Sequence, residues 1–291
     1  MAAAAMLVLL AVDLPDAQAQ VEGNRVEFDL TIDDRHIHDD LDGDLRSRQI
    51  AEISIKVAER IEKRLDAIGI KNHEVEFDGG RNLRVTAFGN HSEPIIKGAV
   101  IPSGRLEIRP VLVNDSPWAD LSAALPDNIE LRSESGIFRT DRLYLFSFSS
   151  SQLWRALQEH SPDGEEFEIF PDGDGWRSLR LGPPAATDGD VQSVRLRRNP
   201  AGIPFVALSL SAQAAQEIRS SASSEQVRHL AIVLDGEVVG LHPYSERGFS
   251  ETLTLDPPTH LSSVEARDNW AMQVAGRLAA PIPVRLVETQ E

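Results

Sequence analysis

Apolar and polar residues alternate cleanly from Asn24 to Ile32, with Val26, Phe28, Leu30 and Ile32 at every second position, the pattern of a strand with one buried face. After a polar, Asp-rich segment, apolar residues recur three and four apart at Ile50, Ile53, Val57, Ile61, Leu65 and Ile68. That spacing lines one stripe of a helix, and Gly69 supplies the positive-φ residue that ends it. Strands are expected at Glu74 to Phe77 and Asn82 to Phe88, around Gly79-Gly80, followed by a short helix from Glu93 to Val100 and a strand from Arg105 to Val113. The order is β-α-β-β-α-β, the split arrangement of a ferredoxin-like domain.

Further on, Leu143 to Phe148, Glu166 to Phe170 and Trp176 to Leu181 read as strands and Gln152 to Glu159 as a short helix. Phe205 to Ser211 reads as a strand and 212–222 as a helix, while Ser262 or Ser263 caps a last helix through Leu278. The strongest local signal is HLAIVLDGEVV, from His229 to Val239. Two apolar runs around Asp235-Gly236 predict a hairpin on a type I′ turn, which needs positive φ at both central residues. The continuously apolar first run predicts burial on both faces, hence a central strand.

This hairpin resembles the "lAIVLDG-x-V" signature of the large periplasmic domain of SecD, the accessory membrane subunit of the bacterial protein-export translocase. Other stretches agree in order. Arg64-Leu65-Asp66-Ala67-Ile68-Gly69-Ile70 is similar to the family's "R-x-d-a-l-G-v", and Gly104-Arg105-Leu106-Glu107-Ile108-Arg109 to its "a-x-L-e-f-R". Gly202-Ile203-Pro204-Phe205-Val206 resembles "G-x-P-x-V", and Ala280-Pro281-Ile282-Pro283 the closing strand that returns to the base. The resemblance implies an α+β protein with a ferredoxin-like base subdomain, 20–113 completed by 281–291. It also implies an inserted α+β head, 114–280, on a mixed or antiparallel sheet. The resemblance lapses over 114–190, and after the hairpin the family's "V-x-S-a-P" stands here as Val239-Gly240-Leu241-His242-Pro243.

Composition narrows the compartment. The 291 residues are 41% hydrophobic and 26% charged, ordinary for a globular chain. A net charge of -17 argues against nucleic acid and anionic lipid partners. Ala2 to Val12 is too short an apolar run to span a bilayer, and with Ala17-Gln18-Ala19 it reads as a secretory signal peptide over 1–19. The expectation is a periplasmic mature chain without membrane insertion. No cysteine is present, which excludes disulfides and thiol chemistry.

Little points to catalysis. His36 and His38, with Asp39, Asp40, Asp42 and Asp44, suggest a metal shell, but a calcium loop needs Gly and Glu where Leu45 and Ala51 stand. The segment reads as a solvated acidic loop. No Gly-x-Ser-x-Gly elbow, His-Glu-x-x-His or phosphate loop occurs. No cofactor, metal or enzymatic activity is expected. The expected function is to bind an unfolded or translocating polypeptide as an accessory to export. The alternative is a structural or assembly subunit of an envelope complex, touching one envelope partner such as the Sec translocon. Trp118, Trp154 and Trp176 of the divergent region, with Leu241, His242 and Tyr244 after the hairpin, are the candidate polypeptide-binding residues; Gly69, Asp235 and Gly236 are structural.

Overall fold

The computed structural model describes residues 24–33, 35, 43–112, 125–134, 142–161, 166–224, 227, 229–245 and 249–289. The expected signal peptide, the His36/His38 segment and Trp118 lie outside the described residues.

The chain begins with strand β1 (Asn24–Ile32) and helix α1 (Gly43–Ala67). The helix ends as its sequence requires. Gly69 has φ 88°, its N–H donates to Asp66 O (3.1 Å), and Ile70 N–H donates to Leu65 O (3.0 Å). This is a Schellman closure whose two apolar ends, Leu65 and Ile70, are both buried. Strands β2 (Asn72–Phe77) and β3 (Asn82–Gly89) and helix α2 (Glu93–Val100) follow. Next come β4 (Leu106–Pro110), β5 (Glu130–Glu134), β6 (Arg142–Ser147), α3 (Ser150–His160), β7 (Glu166–Asp172) and β8 (Gly175–Leu181). The remainder is β9 (Ala186–Thr187), β10 (Val191–Arg198), β11 (Pro204–Leu210), α4 (Ala212–Ser224), β12 (His229–Leu234), β13 (Glu237–Pro243), β14 (Thr252–Leu255), α5 (Val264–Ala279) and β15 (Leu286–Glu288).

These strands form four sheets, antiparallel in every pairing. The first has the order β15-β1-β3-β2. Val26, Phe28, Leu30 and Ile32 turn to α1 and α2, where Val57, Ile61, Leu65, Ile96 and Val100 complete a core. The strand that closes this sheet corrects the sequence expectation. It is β15, three residues near the end of the described chain, and not the run from Arg105 to Val113. That run supplies β4, which pairs with β12 (Ile108 opposite Ile232) in another sheet. The reason is burial. Leu106 and Ile108 share a face that meets Leu230, Ile232 and Leu234, and a fully apolar strand such as β12 needs a neighbour on each side.

The second and third sheets, β10-β11-β14 and β13-β12-β4-β9, enclose the largest core with α4 and α5. The hairpin forms as the sequence demands. Asp235 has φ 55° and Gly236 φ 86°, both positive as a type I′ turn requires. Strand β12 is central and buried on both faces. Leu230, Ile232 and Leu234 enter the large core, while Ala231 and Val233 meet Leu179 and Leu181 of the fourth sheet, β5-β6-β8-β7. The other face of that sheet carries α3, through Leu145, Leu153, Leu157 and Phe167.

Candidate functional site: a tied junction and an exposed aromatic module

Two segments connect the first sheet and its helices to the rest, one through Ile101 to Arg105 and one through Ala280 to Pro283. They are hydrogen-bonded to each other, Ile282 N–H to Ser103 O at 2.7 Å. Arg64, on the inner face of α1, is fully buried between them. Its Nε donates to Ala280 O (2.7 Å), Nη1 to Val100 O (2.8 Å), Ala99 O (3.3 Å) and Pro102 O, and Nη2 to Ser103 O (2.7 Å). A guanidinium has five N–H donors in a rigid fork, and here one side chain satisfies the end of α2 and both crossings. Burial pushes Arg64 down to about 9, so it remains charged at neutral pH.

The Asp235 carboxylate adds a second tie. It accepts from Ser103 Oγ and from Arg105 N–H (2.9 Å) in one crossing, and from Arg277 Nη2 (2.6 Å) in α5. Burial raises its pKa, but the hydrogen bonds from Ser103 and Arg277 outweigh this and leave it below 3.8, its ordinary value. Asp235 thus both shapes the turn and anchors it. Gly104, at φ 75°, passes so close that a Cβ would lie 2.2 Å from Arg277 O. Helix α5 packs on both sides at once, placing Met272 in the first core and Ala271, Val274, Ala275 and Leu278 in the large one.

The candidate polypeptide-binding residues do not converge. Trp154, on α3, is 38% exposed, whereas Trp176 on β8 is half-buried under the same helix. Leu241 and His242 occupy opposite faces of β13. Leu241 packs with Val111 and Phe170, and His242 turns its Nδ1 to 3.4 Å from Thr254 O. Burial lowers the His242 pKa, so the ring is neutral at neutral pH. Tyr244 is buried in the large core with Phe249 beside it, ring centroids 5.4 Å apart. These three therefore make no common surface, because the strand pleat and the core divide them.

The sequence reading missed Phe148, which is 61% exposed just before α3 and sets its ring edge-on to Phe146 at 5.2 Å. The signal was present in FSFSS, where a second Phe follows the buried one by two residues after the strand ends. Among the described residues, Phe148 and Trp154 are the exposed aromatics of the four-stranded module around α3. Each offers a large apolar area that a partner could cover. Among the described residues no cluster of His, Cys, Asp and Glu could hold a metal, and no helix is long and apolar enough to cross a membrane.

No family model matches the sequence, and no curated protein does. The solved structures do. One, described as a crystal structure of SecDF in a super-membrane-facing form, superposes with a TM-score of 0.51 at 19% identity over 92% of this chain. The chain has a SecD-like fold. It spans 30% of the length of that SecDF chain. A second structure, of SecDF as a membrane component that enhances protein export, aligns with a TM-score of 0.49 at 19% identity, over 91% of this chain and 99% of the other.

Proposed function

We propose that this chain is a SecD-like periplasmic module that holds extended polypeptides during protein export, as a binding protein and not an enzyme. In this reading the sheet β15-β1-β3-β2 with α1 and α2 is the ferredoxin-like base, and the sheets beyond the tied junction are the head. The observation that carries the proposal is the SecD-like fold, which runs through 92% of the chain. The exposed Phe148 and Trp154 supply a grip that does not depend on client sequence, because aromatic contact tolerates any apolar side chain. A holding factor must release, so affinity in the micromolar range suits it better than the nanomolar affinity of a fixed complex.

The test is photo-crosslinking in cells from position 148 or 154 of the full chain, with identification of what is captured. Translocon subunits, or a broad set of secreted polypeptides, support export-linked holding. Capture of one envelope protein in fixed ratio overturns it, and makes the chain an assembly subunit that reuses the SecD fold.

A further inference from the structure

Strand β10 ends the three-stranded sheet β10-β11-β14, and on its outer side no strand pairs with it among the described residues. Sheet edges expose a row of unpaired N–H and C=O groups, and proteins blunt them with short strands, prolines or covering elements. The other edges are shorter or carry a proline: β9 has two residues, β15 three, β14 four, β5 five and β2 six, while β7 and β13, of seven, include Pro171 and Pro243. β10 has eight, pairs regularly with β11 from Ser193 to Arg198, and contains no proline.

Its two faces differ. Val194 and Leu196 turn inward and pack against the cores, whereas Arg195 and Arg197 are exposed and make no ion pair among the described residues. They form a basic stripe on a chain whose net charge is -17. On the Leu196 side the strand borders a cleft of about 550 Å³ between the base, α5 and the head, where Ile95, Leu196 and Met272 share a mixed wall with Glu265 and the ion-paired Arg198 and Asp268. Val264, 66% exposed, stands at the same cleft.

We infer that the free edge of β10 takes up an extended polypeptide as an added strand, one whose residues alternate between apolar and acidic. Strand addition supplies main-chain hydrogen bonds that are indifferent to sequence, and the period of two sorts the side chains. Apolar residues of the client enter the cleft beside Leu196, while acidic ones lie across from Arg195 and Arg197, where opposite charges on neighbouring strands attract. Pairing of two β10 edges from two copies would instead bring like charges together. The inference rests on the polypeptide-holding reading and names the backbone site and client class for it.

The experiment titrates the full chain with a soluble octapeptide of alternating Glu and Val and follows amide hydrogen exchange along Val191–Arg198. The free-edge amides of β10 are expected to exchange at least about tenfold more slowly when peptide is bound. Arg195→Glu with Arg197→Glu should weaken this peptide about tenfold and favour its Lys/Val counterpart, a reversal that misfolding would not produce. A peptide N-methylated at alternate residues should not bind. If the Glu/Val peptide binds while β10 exchange is unchanged, or if the N-methylated peptide binds equally well, strand addition at β10 is overturned and polypeptide holding survives at another surface. If neither these peptides nor an unfolded protein binds, both fall. A chain that is dimeric without peptide, with these amides already slow, also overturns the inference.

Discussion

Arg277 Nη2 lies 2.6 Å from Asp235 Oδ2, so the last turn of α5 is ion-paired to the turn of the central hairpin. Both side chains are mostly buried, 16% and 19% exposed, which makes the pair stronger than a surface salt bridge. Asp235→Asn keeps the left-handed turn, because Asn tolerates it, but removes the charge. We expect a loss of about 1.5–3 kcal/mol, the range for a hydrogen bond to a charged group, read as a lower melting temperature.

The pH dependence follows from the same carboxylate. Its folded pKa lies below the ordinary 3.8, so its contribution is complete above that value and is lost as the pH falls through the lower, folded one. The stability gap between the parent chain and Asp235→Asn should be constant from neutral pH down to about pH 5 and should close below pH 4. A gap that closes near pH 6 would show that another group sets it.

Arg64 should be the least replaceable polar residue. Removing it takes the guanidinium donors from the carbonyls of Val100 and Ala280, leaves Ser103 O with Ile282 N–H alone, and opens a cavity. Arg64→Met should cost roughly 3–5 kcal/mol in urea unfolding, the range for breaking a buried charged network. Arg64→Lys should recover only part, since an ammonium has three donors and no fork.

Two glycines at the contact of α2 and α5 should respond oppositely. A Cβ at Gly276 would lie 2.8 Å from Ala99 Cβ, between two packed helices, so Gly276→Ala should destabilise by about 1–3 kcal/mol. The atoms nearest a Cβ at Gly98 all belong to the Gln273 side chain, from Nε2 at 2.6 Å to Cγ at 3.1 Å, and that side chain can swing away. Gly98→Ala should be neutral or stabilising by up to about 1 kcal/mol, the helix-propensity gain. Thermal melts of the two variants give the comparison.

Much of the fold was legible where burial imposes a single period. β1 and α2 run over the expected residues, the hairpin turns at Asp235-Gly236, and Ser263 caps α5 by accepting from Ala266 N–H at 3.0 Å. Choosing the strand that closes the first sheet was beyond pattern, because Leu106 to Pro110 alternates apolar and charged residues as any half-buried strand does, Leu286–Glu288 is too short to show a period, and only their partners decide. β10 escaped notice because its outward residues are arginines and its inward face is just Val194 and Leu196. The binding surface was the least legible part. Tyr244 and Trp176 are large aromatics like Phe148, and only packing shows that they face inward while Phe148 faces out.

Whether this chain holds extended polypeptides is decided by equilibrium binding of a permanently unfolded secreted protein to the purified chain. A polypeptide-holding chain binds the unfolded form at micromolar affinity, does not bind the same protein when folded, and binds about tenfold more weakly as Phe148→Ser with Trp154→Ser at an unchanged melting temperature. Equal affinity for the folded and unfolded forms, or no binding of either, would contradict polypeptide holding.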